Sequence, residues 1–147
     1  MQQLNLPTYK FRIKSTKNKY VIFDIIRKKY VSLTPEEWVR QHIIHYLIEE
    51  KNYPLSLIGI EKKLTINKLT KRTDILIFNT EGLPHIIVEC KAPSVNITQN
   101  AFDQIASYNL KLNANYLMVT NGINHYYCKM DFENEKYIFL QNIPDYI

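Results

Sequence analysis

"HIIVECKAP", His85 to Pro93, runs three branched apolar residues straight into a glutamate and a lysine. The run Ile86-Ile87-Val88 reads as a buried strand, so the charges stand where a core should continue. Side chains at i and i+2 of a strand share a face, so Glu89 and Lys91 are neighbours and Cys90 turns away. Such charges are either the solvent-facing end of the strand or the reason for the strand. The preceding stretch decides between these readings. "TDILIFN" is a second apolar strand, separated from the first by a short turn containing Glu81-Gly82. With a two-residue loop at Glu81-Gly82, Thr80 faces Leu83, and counting back along both strands puts Asp74 directly across from Glu89. Directly opposed side chains lie roughly 4.5–5.5 Å apart at Cβ, and two like charges at that distance repel. A divalent cation between them resolves the repulsion.

An aspartate, a glutamate and a lysine so placed suit metal-assisted phosphodiester hydrolysis. Hard carboxylate oxygens hold Mg²⁺ through one or two side chains, with phosphate and water completing the octahedron. The metal polarises the phosphoryl oxygen and lowers the pKa of water, while a fixed ammonium stabilises developing negative charge. Mn²⁺ is the natural substitute. The Glu-x-Lys tripeptide alone carries little, since Glu49-Glu50-Lys51 and Glu61-Lys62-Lys63 also contain it. The first closes a helix, where i and i+2 do not share a face. The second reads as a strand, with no following hairpin strand to supply an aspartate in register.

Around this pair the chain alternates strands and helices. "FRIKSTKNKYVIFDI" reads as a hairpin with a polar turn. "TPEEWVRQHIIHYLIEE" is the clearest helix, with Thr34 as N-cap, Pro35 in the first helical position and Glu37 completing a capping box. "IGIEKKLTI" alternates as a strand. "TQNAFDQIASYNLKL" has helical spacing behind a Thr98 cap, and "NYLMVTNG", "HYYCKM" and "KYIFLQNI" finish as strands. The expected fold is α/β, a mixed central sheet flanked by helices. At 147 residues it forms one domain, with a basic N-terminal hairpin (1–33), a core (34–128) and a C-terminal strand extension (129–147).

Composition narrows the setting. Hydrophobic content of 46% and charged content of 22% are ordinary globular values. No apolar run approaches the roughly 18 residues of a membrane span, and no signal-peptide pattern opens the chain. Cys90 and Cys128 have neither metal-type spacing nor the number for a disulfide scaffold, which favours a reduced cytoplasmic setting. Three glycines cannot form a glycine-rich phosphate loop. Net charge is +5, and the excess sits in residues 1–34, where eight Lys/Arg face Asp24 alone; the rest holds eleven basic and thirteen acidic residues. That asymmetry makes Lys10, Arg12, Lys14, Lys17 and Lys19 candidates for holding a polyanion, against the alternative of an edge strand kept soluble by lysine. His42 and His45, at i and i+3 with no third ligand, read as a helix-surface pair rather than a zinc site.

"TDILIF" followed by "IIVECKAP" resembles the PD-(D/E)xK nuclease core, and "FDQIASY" resembles the Gln-x-x-x-Tyr motif on the following helix in part of that superfamily. Together with "LTPEEWVRQHIIHYLIEE", the chain is similar, over roughly Val31 to Cys128, to a short form of the N-terminal nuclease domain of type I restriction enzyme R subunits. The resemblance implies a restriction-endonuclease-like fold. It further implies metal ligands at Asp74 and Glu89, a catalytic lysine at Lys91, and the motif's glutamine and tyrosine at Gln104 and Tyr108. Thr73 replaces the proline before the aspartate. The family also tends to place a glutamate near the start of the first helix, facing the metal. Glu36 and Glu37 are the candidates. With Val39, Ile43 and Leu47 as the buried stripe, Glu36 falls on that side and Glu37 points away. The expected activity is Mg²⁺-dependent cleavage of DNA, with helicase or specificity subunits of a restriction complex as implied partners. The rivals are a catalytically silent nucleic-acid-binding module of the same fold and a repair or RNA-directed nuclease.

Overall fold

A computed structural model describes the whole chain, Met1–Ile147. Three short strands come first: β1 (Ile13–Thr16), β2 (Lys19–Asp24) and β3 (Lys29–Ser32) form a small antiparallel sheet of their own. The expected hairpin is β1–β2, turned at Lys17-Asn18 with both residues at positive φ, and β3 adds a third strand. Helix α1 (Pro35–Glu49) follows, and Thr34 Oγ1 accepts the Glu37 amide at 3.0 Å as its N-cap.

The main sheet has six strands. After a 3-10 turn come β4 (Ile58–Ile60), the detached hairpin β5 (Lys63–Ile66) and β6 (Leu69–Arg72), then β7 (Ile75–Phe78) and β8 (Pro84–Cys90). Helix α2 (Gln99–Leu112) leads to β9 (Tyr116–Thr120), β10 (His125–Asp131) and β11 (Lys136–Leu140). The order is β11-β10-β9-β8-β7-β4, antiparallel throughout except that β8 and β9 run parallel. The parallel step requires a crossover, and α2 supplies it.

β7 and β8 are apolar on both faces because each face is covered. Val39, Ile43 and Leu47 of α1 pack with Ile75, Ile77, Ile86 and Val88 on one face. Phe102 and Ala106 of α2 pack with Leu76, Ile87 and Leu117 on the other. Each such aliphatic side chain contributes roughly 1.5–3 kcal/mol on burial. This is the mixed sheet flanked by helices that the alternation implies. No helix is long and apolar enough to cross a membrane.

Two expectations need correction here. "IGIEKKLTI" is not one strand: Glu61 adopts φ +53° and breaks it, so β4 stays in the main sheet while β5 leaves to pair with β6. The break is stitched by backbone bonds, Glu61 N–H to the Asp74 carbonyl (3.1 Å) and Thr73 N–H to the Lys62 carbonyl (2.9 Å). A proline before Asp74 would lack that second donor, which gives Thr73 a structural reason to stand there. The other correction is His42, which is buried rather than on the surface. It sits 2.8 Å from the Trp38 carbonyl and packs against Phe11 and Trp38, while His45 faces Glu49.

Candidate active site

The β7–β8 ladder aligns Ile75 with Val88, Leu76 with Ile87 and Ile77 with Ile86. Extended by one residue, the same register sets Asp74 across from Glu89. It is reached by a different route from the two-residue loop. Asn79 N–H bonds the Leu83 carbonyl at 2.8 Å, closing a three-residue turn in which Gly82 takes φ +80°. Phe78 then lies opposite Pro84, and His85 is left over as a bulge. The extra residue in the turn and the extra residue in β8 cancel, so the register at the charged end is unchanged.

Asp74 stands at the bend just before β7. One carboxylate oxygen, Oδ2, accepts the Cys90 amide at 2.7 Å, which fixes the group across the strand gap. Its other oxygen lies 3.9 Å from Arg40 Nη1. Glu89 is 7% exposed, and its Oε1 is buried with no hydrogen-bond partner, although Lys71 Nζ approaches it to 3.1 Å as an ion pair. Burial and the Asp74 charge push the Glu89 carboxyl up from its ordinary value, against the pull of Lys71 and Lys91. Lys91 is half-buried, with its backbone N–H on the Thr120 carbonyl at 2.8 Å, and its charge is felt at Glu89.

Asp74 also lies across from Glu61 on its other side, through the β4–β7 pairing. The Glu61-Lys62-Lys63 triplet therefore does have an aspartate in register, contrary to expectation. Side-chain direction separates the two glutamates. Turned by its positive φ, Glu61 reaches Arg40 (3.4 Å) and Arg27 (3.6 Å) instead of the Asp74–Glu89 pair.

The two helix glutamates are the reverse of their expected orientations. Glu37 is the buried one, held by Arg40 (2.9 Å), Arg27 (3.1 Å) and the Gln41 amide (3.0 Å), while Glu36 is exposed. A helical wheel of apolar positions does not register that two arginines draw Glu37 inward. Glu37 gives its backbone N–H to the cap, but its carboxylate takes no part in a capping box. Glu36 has no ion-pair partner, and its charge reaches the Cys90 thiol. No third carboxylate, histidine or cysteine is gathered with Asp74 and Glu89 into a metal-type cluster.

On α2, Gln104 is exposed and Tyr108 is half-buried, its hydroxyl donating to the Thr70 carbonyl at 3.3 Å. Lys71 Nζ lies 5.3 Å from the Tyr108 ring centroid. Lys71 is thus the residue at the pair that Glu-x-Lys reasoning does not find. Asn67-Lys68, both at positive φ between alternating segments, is the turn signal that predicts its hairpin. Lys10, Arg12, Lys14, Lys17 and Lys19 are all exposed. Two of them lean on rings: Arg12 lies 3.9 Å from the Phe23 centroid and Lys14 4.1 Å from Tyr30. Both cysteines are free and buried.

A family model described as "Type I restriction enzyme R protein N terminus (HSDR_N)" matches residues 35–144. No curated protein matches the chain. Among solved structures, a protein described as a candidate nuclease belonging to DUF820, from Anabaena variabilis, aligns at 11% identity with a TM-score of 0.48, over 93% of this chain and 80% of the other.

Proposed function

Because the chain belongs to the family of type I restriction enzyme R protein N termini, with the nuclease-related function that this family carries, we propose that it is a Mg²⁺-dependent DNA endonuclease domain. The observation that carries the reading is the buried Glu89 carboxylate set across from Asp74, with the Lys71 ammonium 3.1 Å from its Oε1. Two carboxylates set directly across from each other repel, and that cost calls for an explanation. A hard divalent cation fits the oxygen donors of Asp74 and Glu89, with water and phosphate filling the rest of its shell. When bound, it supplies Lewis-acid polarisation of the phosphate and a water of lowered pKa.

The side chains then divide the work. The Cys90 amide holds Asp74 in place, so its free oxygen is aimed without loss of rotamer freedom. Lys91, projecting from the end of β8 on the Glu89 face, orients the attacking water and stabilises charge on the phosphoryl oxygens. Tyr108 and Gln104 on α2 border the path of the phosphate backbone. Glu37 is committed to arginines, so Glu36 is the α1 carboxylate free to turn toward the ion. The exposed cations of β1 and its turn, Lys10, Arg12, Lys14, Lys17 and Lys19, would hold flanking duplex, and helicase or specificity subunits of a restriction complex would bring it.

The test is incubation with plasmid, linear and single-stranded DNA and with RNA, in Mg²⁺, Mn²⁺ or EDTA. Metal-dependent nicking of plasmid is expected, with Asp74→Ala, Glu89→Ala and Lys91→Ala each losing on the order of 10³-fold, the scale of several kcal/mol of charge stabilisation. Metal binding should vanish in the first two and persist in the third. Duplex binding without any cleavage would replace this reading by that of a binding module, and cleavage that survives EDTA would remove the metal from it.

A further inference from the structure

The hairpin β5–β6 carries an inconsistency in its own pattern. Leu64, Ile66 and Leu69 face inward, and Leu64 and Leu69 pack against the α2 side of the core. Lys71, on the same side as Leu69 and paired with Leu64, occupies the next inward position. A lysine in an apolar slot is costly unless its charge is used. Its ammonium lies 3.1 Å from Glu89 Oε1, the oxygen that otherwise has no partner, and its side chain retains 29% exposure. The Tyr108 ring lies beside it, and the Tyr108 hydroxyl is fixed to the backbone of the preceding residue, Thr70.

We propose that Lys71 is a second functional lysine, the cation that neutralises Glu89 before a divalent ion arrives and that transfers to a substrate phosphate afterwards. The proposal rests on the nuclease reading. An ammonium on Oε1 neutralises Glu89, and its positive charge repels a divalent ion drawn to the same carboxylate. Binding of a divalent ion therefore works against the ion pair and favours its opening. The four-carbon stem permits the move, and the face of Tyr108 gives the ammonium a favourable surface along the way. Because the Lys71 side chain is partly exposed, the outward end of that path is accessible to a backbone phosphate. One charge thus relieves carboxylate repulsion in the free protein and phosphate repulsion in the complex. The hairpin, detached from the main sheet by the turn at Glu61, is the element that delivers it.

Competition has a sign that a merely structural ion pair lacks. In titrations of the full chain with Mn²⁺, Lys71→Met should bind the ion about three- to tenfold more tightly, the scale of one partly buried ion pair. Lys71→Arg should stay near the unaltered protein, because it keeps the charge. Lys68→Met, in the hairpin turn, removes the same charge at a distance and should change nothing. In the Lys91→Ala background, which prevents cutting, Lys71→Met should also lower the salt slope of duplex binding by about 0.9, one phosphate contact. Unchanged or weaker Mn²⁺ binding in Lys71→Met overturns the proposal, as does an equal gain in Lys68→Met. Either result leaves the nuclease reading standing if the unaltered chain binds Mn²⁺ through Asp74 and Glu89. A chain that binds no Mn²⁺ at all overturns both.

Discussion

The cluster of Asp24, Glu37 and Glu61 and the pair of Asp74 and Glu89 are built from the same residue types, one strand apart, with opposite results. In the cluster every carboxylate meets a guanidinium. Arg27 contacts Asp24 (2.7 Å), Glu37 and Glu61; Arg40 contacts Glu37 and Glu61; and Gln41 bonds both Asp24 and Glu37. In the pair, Asp74 takes a backbone amide and lies 3.9 Å from Arg40, and Glu89 meets the Lys71 ammonium at 3.1 Å but no guanidinium. Burial acts against charge in both places. At Asp24 the Arg27 amide and guanidinium and the Gln41 amide outweigh it, and the carboxyl is held below its ordinary range. At Glu89 burial and the neighbouring aspartate win, and the carboxyl is raised. The difference is one of supply: two guanidiniums and an amide serve the cluster, while the pair keeps a net repulsion that a further cation would relieve.

Breaking the balanced side should cost the most. Arg40→Leu strands Glu37 and Glu61 on the α1 face, and loss of one partner of a buried ion pair costs about 3–5 kcal/mol. Urea unfolding should show the midpoint falling with an unchanged slope. A loss under about 1 kcal/mol would mean that Arg27 and Gln41 neutralise the cluster unaided.

The unbalanced side should respond the other way. Glu89→Gln keeps the shape, removes the repulsion from Asp74, and should raise metal-free stability by about 1 kcal/mol while abolishing cleavage. The gain has a pH signature. Glu89 has a raised pKa when folded, so its contribution to stability is present at low pH and lost as pH rises through that raised value. The advantage of Gln should therefore be largest near neutrality and vanish in acid, where Glu89 is itself protonated. Asp24 carries the opposite sign: its contribution is present above the ordinary carboxylate pKa and lost as pH falls through its depressed one. Denaturant midpoints measured across pH for both proteins check this; a pH-independent difference would remove the electrostatic account.

The smallest effect on stability belongs to the exposed cations. Changing Lys14, Lys17 and Lys19 to Gln should leave stability within about 0.5 kcal/mol and metal affinity untouched. The salt slope of duplex binding should nevertheless fall by about two to three. Labelled duplex titrated at several salt concentrations, in the Lys91→Ala background, gives the number. An unchanged slope would assign β1 and its turn to edge protection and move the DNA path to the β5–β6 hairpin.

Two apolar runs and the turn between them are enough to set Asp74 opposite Glu89, because hairpin register is a short-range property. The turn is one residue longer than its sequence implies, and the register is kept because the His85 bulge compensates. Helices α1 and α2 were equally legible, their caps at Thr34 and Thr98 being local hydrogen bonds. Where each charge finds its partner, by contrast, depends on the folded chain. Glu36 and Glu37 exchange burial because Arg27 arrives from the sheet of β1–β3 and Arg40 from the next turn of α1. Glu61 leaves the strand because one residue takes a positive φ. Lys71 reaches Glu89 because that same turn swings β5–β6 over α2. Register propagates along a strand by fixed geometry, whereas a salt bridge depends on chain segments brought together from far apart, and no periodicity in the sequence encodes that meeting.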